Sequence, residues 1–221
     1  MSKISVVAGQ GGVRERVLAV AERLCSEVGL EKISVRDIAS EAKVSLSAVN
    51  YHFGSKTGLL EHLVRLRFDE IDAVREPMLK RLEASSRPAL REILYALFAP
   101  NIFWLFNDPP RLVSSQFLAK ALVTPIQEIQ KIIDESVSHL SRFVDLLQYC
   151  LPSLPRLEIY WRLHFTMGIV RMDMWDLERL RRFSDGLCDT SNMDNVVNRA
   201  IDYAEAGFRS FPSVAHGAHL G

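Results

Sequence analysis

The sequence has little cysteine and no excess charge of either sign. Its three cysteines, Cys25, Cys150 and Cys188, are far apart and odd in number, so their spacing predicts neither a disulfide framework nor a metal site. Basic and acidic side chains number 27 each, which gives a formal net charge of zero. These numbers exclude a wholly basic nucleic-acid-binding protein, although they leave room for a local basic face.

Long apolar runs and catalytic motifs are also missing from the sequence. The longest apolar stretches are broken by charge before they reach bilayer length, and the first twelve residues lack the sustained stretch of a secretory signal. We therefore expect a cytoplasmic protein with no membrane partner. There is no nucleophile elbow, phosphate-binding glycine loop, zinc-ligand spacing or carboxylate pair, so we expect neither an enzyme nor a metal or cofactor.

What the sequence does have is apolar residues at helical spacing. Hydrophobic residues make up 48% of the chain, enough for a core, and no segment alternates in the way a strand does. The pattern predicts an all-α fold. We expect a flexible arm, a small helical domain, a larger helical domain and a flexible tail, at residues 1–12, 13–58, 59–211 and 212–221 respectively.

Three short helices and a long one are expected in the first third of the chain. Their predicted limits are Val13 to Val28, Ser34 to Ala42, Ser45 to Phe53, and Lys56 onward, with a compliant point at Pro77.

Later segments predict further helices. Apolar residues at steps of three and four run from Ile126 to Leu151 and form the strongest periodicity in the chain. The last two helices are expected from about Arg156 to Arg182 and from about Met193 to Ser210.

The second and third short helices, joined by a tight turn, predict a helix-turn-helix. Such a unit places the beginning of its second helix in the major groove of DNA. Val44, Val49 and Phe53 are spaced to face the core. The remaining positions carry hydroxyl, amide, phenol and imidazole groups suited to phosphates and base edges, apart from Leu46 and Ala48. They are Ser45, Leu46, Ser47, Ala48, Asn50, Tyr51 and His52.

Residues 33–60, ISVRDIASEAKVSLSAVNYHFGSKTGLL, resemble the DNA-binding signature of the TetR family in residue types and in spacing. The resemblance implies that Ser34 and Arg36 contact phosphate, and that Lys56 adds charge at the start of the fourth helix. It implies that the groove is lined by Ser45, Ser47, Asn50, Tyr51 and His52. Lys43 stands where the family usually has glycine, and lysine adopts a left-handed turn conformation only at some cost.

The same resemblance implies a helical ligand-binding and dimerisation domain behind this N-terminal three-helix DNA-binding domain. Aromatic and apolar residues from four helices are candidates for a pocket that takes a hydrophobic or amphipathic effector. They are Phe103, Trp104, Phe106, Phe117, Phe143, Leu147, Trp161 and Phe165. Aromatic residues at helical spacing are also common in ordinary cores, so that alternative stays open.

Two further features bear on the effector. Arg162 and His164 lie on the same expected helix as Trp161 and are candidates to hold a carboxylate or other polar group. Residues 49–56 also resemble the fatty-acid-responsive, PsrA-like branch of the family, which implies an acyl-type effector.

The last two helices are the candidates for a homodimer interface, with Trp161 and Phe165 at the start of the apolar stripe. The interface residues expected from the pattern are Met172, Trp175, Val197, Ala200, Ile201, Ala204 and Phe208. Two-fold symmetry then predicts a palindromic double-stranded operator with half-sites roughly 34–36 Å apart. The expected function is ligand-responsive repression of transcription. The alternative is a helical interaction or adaptor protein on the same fold that binds no operator.

Overall fold

A computed structural model describes residues 12–106, 109–136, 139–175 and 177–210, without the side chains of 103–106, 109–111, 136 and 171–175. Every regular element in these ranges is a helix, which confirms the all-α prediction. None of the described helices is long and apolar enough to cross a membrane. The helices are α1 (Val13–Val28), α2 (Val35–Glu41), α3 (Leu46–Phe53), α4 (Lys56–Ala84), α5 (Leu90–Phe106), α6 (Pro109–Ala121), α7 (Gln127–Ser136), α8 (Leu140–Cys150), α9 (Arg156–Trp175), α10 (Leu177–Phe183) and α11 (Met193–Arg209).

The first three helices begin and end at residues that favour those boundaries. Ser34 and Asp37 cap α2 reciprocally: the Asp37 amide donates to the Ser34 hydroxyl at 3.2 Å, and the Ser34 amide donates to Asp37 Oδ2 at 2.9 Å. The Ser45 hydroxyl accepts from the Ala48 amide at 3.1 Å and so caps α3. Gly54 follows α3 with a φ of 72°, a conformation that glycine adopts without steric cost. The predicted short helices of this region are confirmed.

Two compact units divide the chain, and each combines segments that are distant in sequence. One contains residues 1–70 and 109–136, and the other contains 71–108 and 137–221. In the first unit α1 packs against α2, α3 and α6, and in the second α5 packs against α8, α9 and α11. The boundary falls within α4, so the domain limits at residues 58 and 59 stay a prediction.

The core of the first unit gathers apolar side chains from α1 to α4. Cys25 is fully buried there beside residues such as Val17, Ile38 and Leu63. Burial raises the pKa of the Cys25 thiol to about 12, because the thiolate would lose its hydration. Cys25 therefore behaves as a small apolar residue and not as a nucleophile.

The later helical stretches are each described in two parts. The periodic stretch from Ile126 to Leu151 contains α7 and α8, with residues 137 and 138 outside the description. The segment expected from Arg156 to Arg182 contains α9 and α10, with residue 176 outside it. The predicted arm and tail lie outside the described residues, apart from Gly12.

Candidate nucleic-acid interface

Helix α3 buries one narrow face and leaves the rest of its surface in solvent. Val49 is 1% exposed and anchors the helix, whereas Tyr51 is 87% exposed. The predicted groove-lining residues are all exposed: Ser45, Ser47, Asn50, Tyr51 and His52. Val44 and Phe53 are half-buried, in keeping with their expected inward direction. The exposed face of α3 therefore presents hydrogen-bond donors and acceptors that take no part in the packing of the core.

The turn between α2 and α3 contains Lys43 in the left-handed region, with a φ of 54°. The amide of the next residue, Val44, donates to the carbonyl of Ala39 at 3.0 Å and closes the turn. This is the position where the family usually has glycine. A non-glycine residue there costs about 1 kcal/mol in backbone strain, while the lysine adds a cation next to α3.

The start of α2 is exposed at both predicted phosphate contacts, Ser34 and Arg36. Hydrogen bonds from the side chain and backbone of Ser34 lower the pKa of Asp37, so the capping carboxylate stays ionised. Arg36 belongs to the first turn of α2, and the described hydrogen bonds of the cap join Ser34 and Asp37 without it.

Lys56 lies at the first position of α4 and is half-buried. Its ammonium donates to the carbonyl of Glu31 at 2.9 Å, in the segment between α1 and α2. An ammonium has three N–H donors, so this bond leaves donors for a phosphate. The structure therefore gives Lys56 a positioning contact that its sequence position did not reveal.

Gly58 explains how closely α3 and α4 approach each other. A Cβ atom added to Gly58 would lie 2.4 Å from the carbonyl oxygen of Phe53, the last residue of α3. The Gly58 amide also donates to the Ser55 hydroxyl at 3.0 Å, which caps α4. Glycine is required here by the approach of another part of the backbone. The sequence signal was present, since a glycine in the first turn of a helix is unfavourable without such a reason.

A small cluster of side chains, Arg14, Phe53 and His62, lies at the end of α3. The Arg14 guanidinium lies 5.9 Å from the Phe53 ring centre, and the Phe53 and His62 rings are also 5.9 Å apart. Arg14 Nη2 donates to His62 Nε2 at 2.5 Å. Burial, and then the positive charge of Arg14, lower the pKa of His62. The cluster ties α1, α3 and α4 together.

Comparison with known proteins agrees with this geometry. A model of "Bacterial regulatory proteins, tetR family" matches residues 17–63, and one of "Tetracyclin repressor-like, C-terminal domain" matches residues 95–207. The chain belongs to the TetR family. The first match contains the whole of α2 and α3, so the predicted helix-turn-helix lies within the segment that matches this family model.

The curated relatives match this chain over less than a third of their own length. The HTH-type transcriptional repressor KstR2 of Rhodococcus jostii is 33% identical over 64 residues, which are 29% of this chain and 31% of that protein. Solved structures with a fold similar to this chain include the ketosteroid transcriptional regulator KstR2 of Mycobacterium tuberculosis. The TM-score is 0.61 at 20% identity, and the match covers 91% of this chain and 96% of that one. A TetR-like regulator from Rhodococcus sp. RHA1 has a TM-score of 0.67 at 13% identity, covering 90% and 97%.

Only some of the residues predicted for the effector pocket are buried. Phe103, Trp104 and Phe106 lie outside the described side chains. Phe117 is fully buried in the first unit, and Phe143 and Leu147 are fully buried in the second. Trp161 and Phe165 of α9 are 53% and 64% exposed, and the convergence of the whole set on one effector pocket stays a prediction.

Trp161 and Phe165 line an open groove between α9 and α11. Their rings stack with centres 5.9 Å apart and an interplanar angle of 25°. Tyr203 of α11, also largely exposed, lies on the other wall, and Ala206 and Gly207 add little bulk. The groove has a volume of about 790 Å³. Tyr203 was missed in the sequence because a tyrosine outside the apolar stripe looks like an ordinary surface residue.

The α11 residues predicted for the dimer interface are mostly core. Val197, Ala200, Ile201, Ala204 and Phe208 are all buried within the chain, and α11 packs on α5 and α9. Their burial is expected because the strongest apolar stripe of a helix first covers the protein's own core, and their place in a dimer interface stays a prediction. Ala204 and Phe208 also contribute to the groove. Met172 and Trp175 lie outside the described side chains.

Arg162 is occupied by a structural contact. Its Nη1 donates to the carbonyls of Gly207, Phe208 and Ser210 at 2.7, 2.9 and 2.9 Å, and its Nη2 is 3.2 Å from Glu158 Oε2. These bonds satisfy carbonyls that the end of α11 would otherwise leave unpaired. Arg162 thus has a structural role, and its expected role as a ligand anchor stays a prediction; His164, two residues further on, is exposed.

Proposed function

We propose that this chain is a ligand-responsive transcriptional repressor that binds a palindromic operator in the cytoplasm as a homodimer. The observation that carries the proposal is the exposed face of α3, which has Val49 as its buried anchor and presents the polar side chains predicted to line the groove. In this function Ser34, Arg36 and Lys56 bind phosphates. The base edges are read by Ser45, Ser47, Asn50, Tyr51 and His52.

The groove between α9 and α11 supports a homodimer. Two stacked aromatic rings and Tyr203 are exposed there, and each such side chain can bury about 150–250 Å² in an interface. A second copy of the chain would cover them through an isologous contact, in which the same surface patch serves both subunits. Small residues at Ala206 and Gly207 allow the helices to approach closely.

The response to an effector is proposed to pass through α4. This helix begins at Lys56 and contains Pro77, which has no amide to donate to the preceding turn. An effector that binds one arrangement of the helices better than another shifts the population away from the DNA-binding state. The proposed effector is hydrophobic or acyl-type, in line with the likeness of residues 49–56 to the fatty-acid-responsive branch.

Selection of duplexes from a random pool tests the DNA-binding proposal. The full chain should enrich a palindrome with half-site centres roughly one helical turn apart, and raising the salt concentration should weaken binding steeply. Enrichment of no duplex would overturn operator binding and favour the adaptor alternative.

Light scattering tests the homodimer. The wild-type chain should have twice the 25.0 kDa mass of one chain. Phe165→Asp should dissociate it, because a carboxylate in a covered apolar groove loses its hydration. Val123→Asp, at an apolar position of the first unit that is 60% exposed, is the matched control. A monomeric wild-type chain would contradict the proposal, as would equal dissociation of both variants.

A further inference from the structure

Arg75 interrupts the apolar stripe of α4. Ile71 and Leu79, one turn before and after it, are 2% and 1% exposed, and Arg75 itself is 4% exposed. Residues four apart on a helix share one face, so the guanidinium lies on the buried side of α4 in the second unit. Taking a guanidinium out of water is costly unless its donors and its charge are satisfied.

The intramolecular partners of Arg75 do not satisfy it. A guanidinium has five N–H donors, and Arg75 makes one described hydrogen bond, from Nη1 to Asp72 Oδ1 at 2.6 Å. Among the residues that the structure describes, no acceptor lies within hydrogen-bonding distance of Nε, which is buried from solvent. The Asp72 side chain is 42% exposed, so water screens much of its attraction for the guanidinium.

Two other largely buried arginines provide the comparison. Arg67 binds both oxygens of Glu22 and also contacts Glu70. Arg162 donates to three carbonyls and pairs with Glu158. Both have the partners that a buried guanidinium requires. Arg75 differs from both because one of its buried donors has no acceptor among the described residues. A buried donor of this kind calls for a partner from outside the chain.

The surroundings of Arg75 combine charge with an apolar wall. Asp72 Oδ1 lies 3.9 Å from Nδ1 of His139, the residue before α8. The His139 ring meets the fully buried Phe143 ring edge-on, with centres 6.2 Å apart. The nearby carboxylates Glu76 and Glu83 are already taken by Arg142, at 2.6 and 2.7 Å. The junction of α4 and α8 thus holds a cation without a full set of partners close to a buried aromatic ring.

We propose that Arg75 binds the carboxylate of a small apolar acid whose hydrocarbon part packs beside Phe143. The Nε and Nη2 donors of a guanidinium form a planar fork that matches the two oxygens of a carboxylate. This inference rests on the proposed function and specifies the chemistry of its effector. Arg75 precedes Pro77 by two residues in the helix that begins at Lys56, so an acid bound to it acts directly on α4.

The first experiment needs no ligand. Arg75→Met in the full chain keeps an unbranched side chain and removes a buried charge that lacks partners. The melting temperature should stay the same or rise by about 2–4 °C, and operator binding should be unchanged. Arg81→Met, at an exposed position of the same helix, is the matched control for loss of a cation. A clear fall in melting temperature for Arg75→Met alone would show that Arg75 is a structural residue and overturn the proposal.

The second experiment measures binding by calorimetry, without DNA. Decanoate and naphthoate are the probes, with decanol and naphthylmethanol as uncharged counterparts of matched shape. At least one acid should bind the wild-type chain and Arg81→Met equally, and bind Arg75→Met about tenfold more weakly or worse. Failure of both acids to bind, equal binding of an alcohol, or undiminished binding to Arg75→Met would each overturn the proposal. Because DNA is absent, these outcomes are separate from a failure of operator binding.

Discussion

Arg67 and Glu22 form a bidentate ion pair in which Nε and Nη2 of the arginine lie 2.6 Å from the two carboxylate oxygens. The Glu22 side chain is 7% exposed and that of Arg67 is 17% exposed. Burial opposes the charge of Arg67, but the hydrogen bonds and negative charge of Glu22 raise its pKa overall. The pair joins α1 to α4, and α1 in turn carries α2 and α3.

Glu22→Gln is therefore expected to lower the free energy of unfolding by about 2–3 kcal/mol, because Arg67 keeps its charge without its main partner. Urea denaturation followed by circular dichroism measures the loss. The control is Glu135→Gln, which breaks the pair between Arg65 and Glu135, whose side chains are 52% and 47% exposed. That exposed pair should contribute less than about 1 kcal/mol. Equal losses would show that the buried pair has no special importance.

Gly58→Ala should destabilise the helix-turn-helix, because the added methyl group would lie 2.4 Å from the Phe53 carbonyl oxygen. The expected loss is about 1–3 kcal/mol, together with weaker operator binding as α3 shifts. Thr57→Ala, one residue earlier in the same turn, is the control and should have a small effect. Wild-type stability in Gly58→Ala would mean that α3 and α4 separate easily.

Lys43→Gly should increase the free energy of unfolding by about 1 kcal/mol, because glycine adopts a φ of 54° without strain. Lys43→Ala keeps the strain and removes the charge, so it separates the two properties. If the lysine helps to hold DNA, both variants should bind the operator more weakly and with a smaller salt dependence. A less stable Lys43→Gly chain would contradict the proposed strain.

His62 gives the first unit a defined pH dependence. Its pKa is lowered in the folded chain, so the unfolded chain takes up the proton first. The stabilisation is complete above the ordinary histidine pKa of about 6.5 and is lost as the pH falls below it. Urea denaturation at a series of pH values should show a shallower decline for His62→Gln. Arg14→Gln should reduce the decline in part, since only the contribution of its charge is removed. An unchanged pH profile in both variants would exclude His62 as the source.

The helices of the predicted helix-turn-helix could be predicted because their signals are local. Ser34 and Ser45 cap helices by bonds within three residues, and Lys43 marks the turn that closes between them. Gly58 had a visible signal of a similar kind, but its reason lies in the carbonyl of Phe53, which only the folded chain brings near.

The second unit was harder to predict because its signals depend on long-range packing. Ile201 and Phe165 both occupy apolar stripes, yet one is buried and the other is 64% exposed. A sequence pattern shows that a face is apolar but does not show whether the protein's own core covers it. Arg75 was missed in the sequence, although its place between Ile71 and Leu79 puts a cation on an apolar face of α4.

The binding affinity of α3 variants for the selected operator, measured beside a scrambled duplex of equal length, tests the central claim most directly. Asn50→Ala and Tyr51→Ala should each weaken operator binding by about 1–3 kcal/mol and leave binding to the scrambled duplex unchanged. Arg36→Ala should weaken binding to both duplexes by a similar factor, since phosphates carry no sequence information. Full discrimination between the two duplexes in both α3 variants would contradict the claim that this helix reads the DNA.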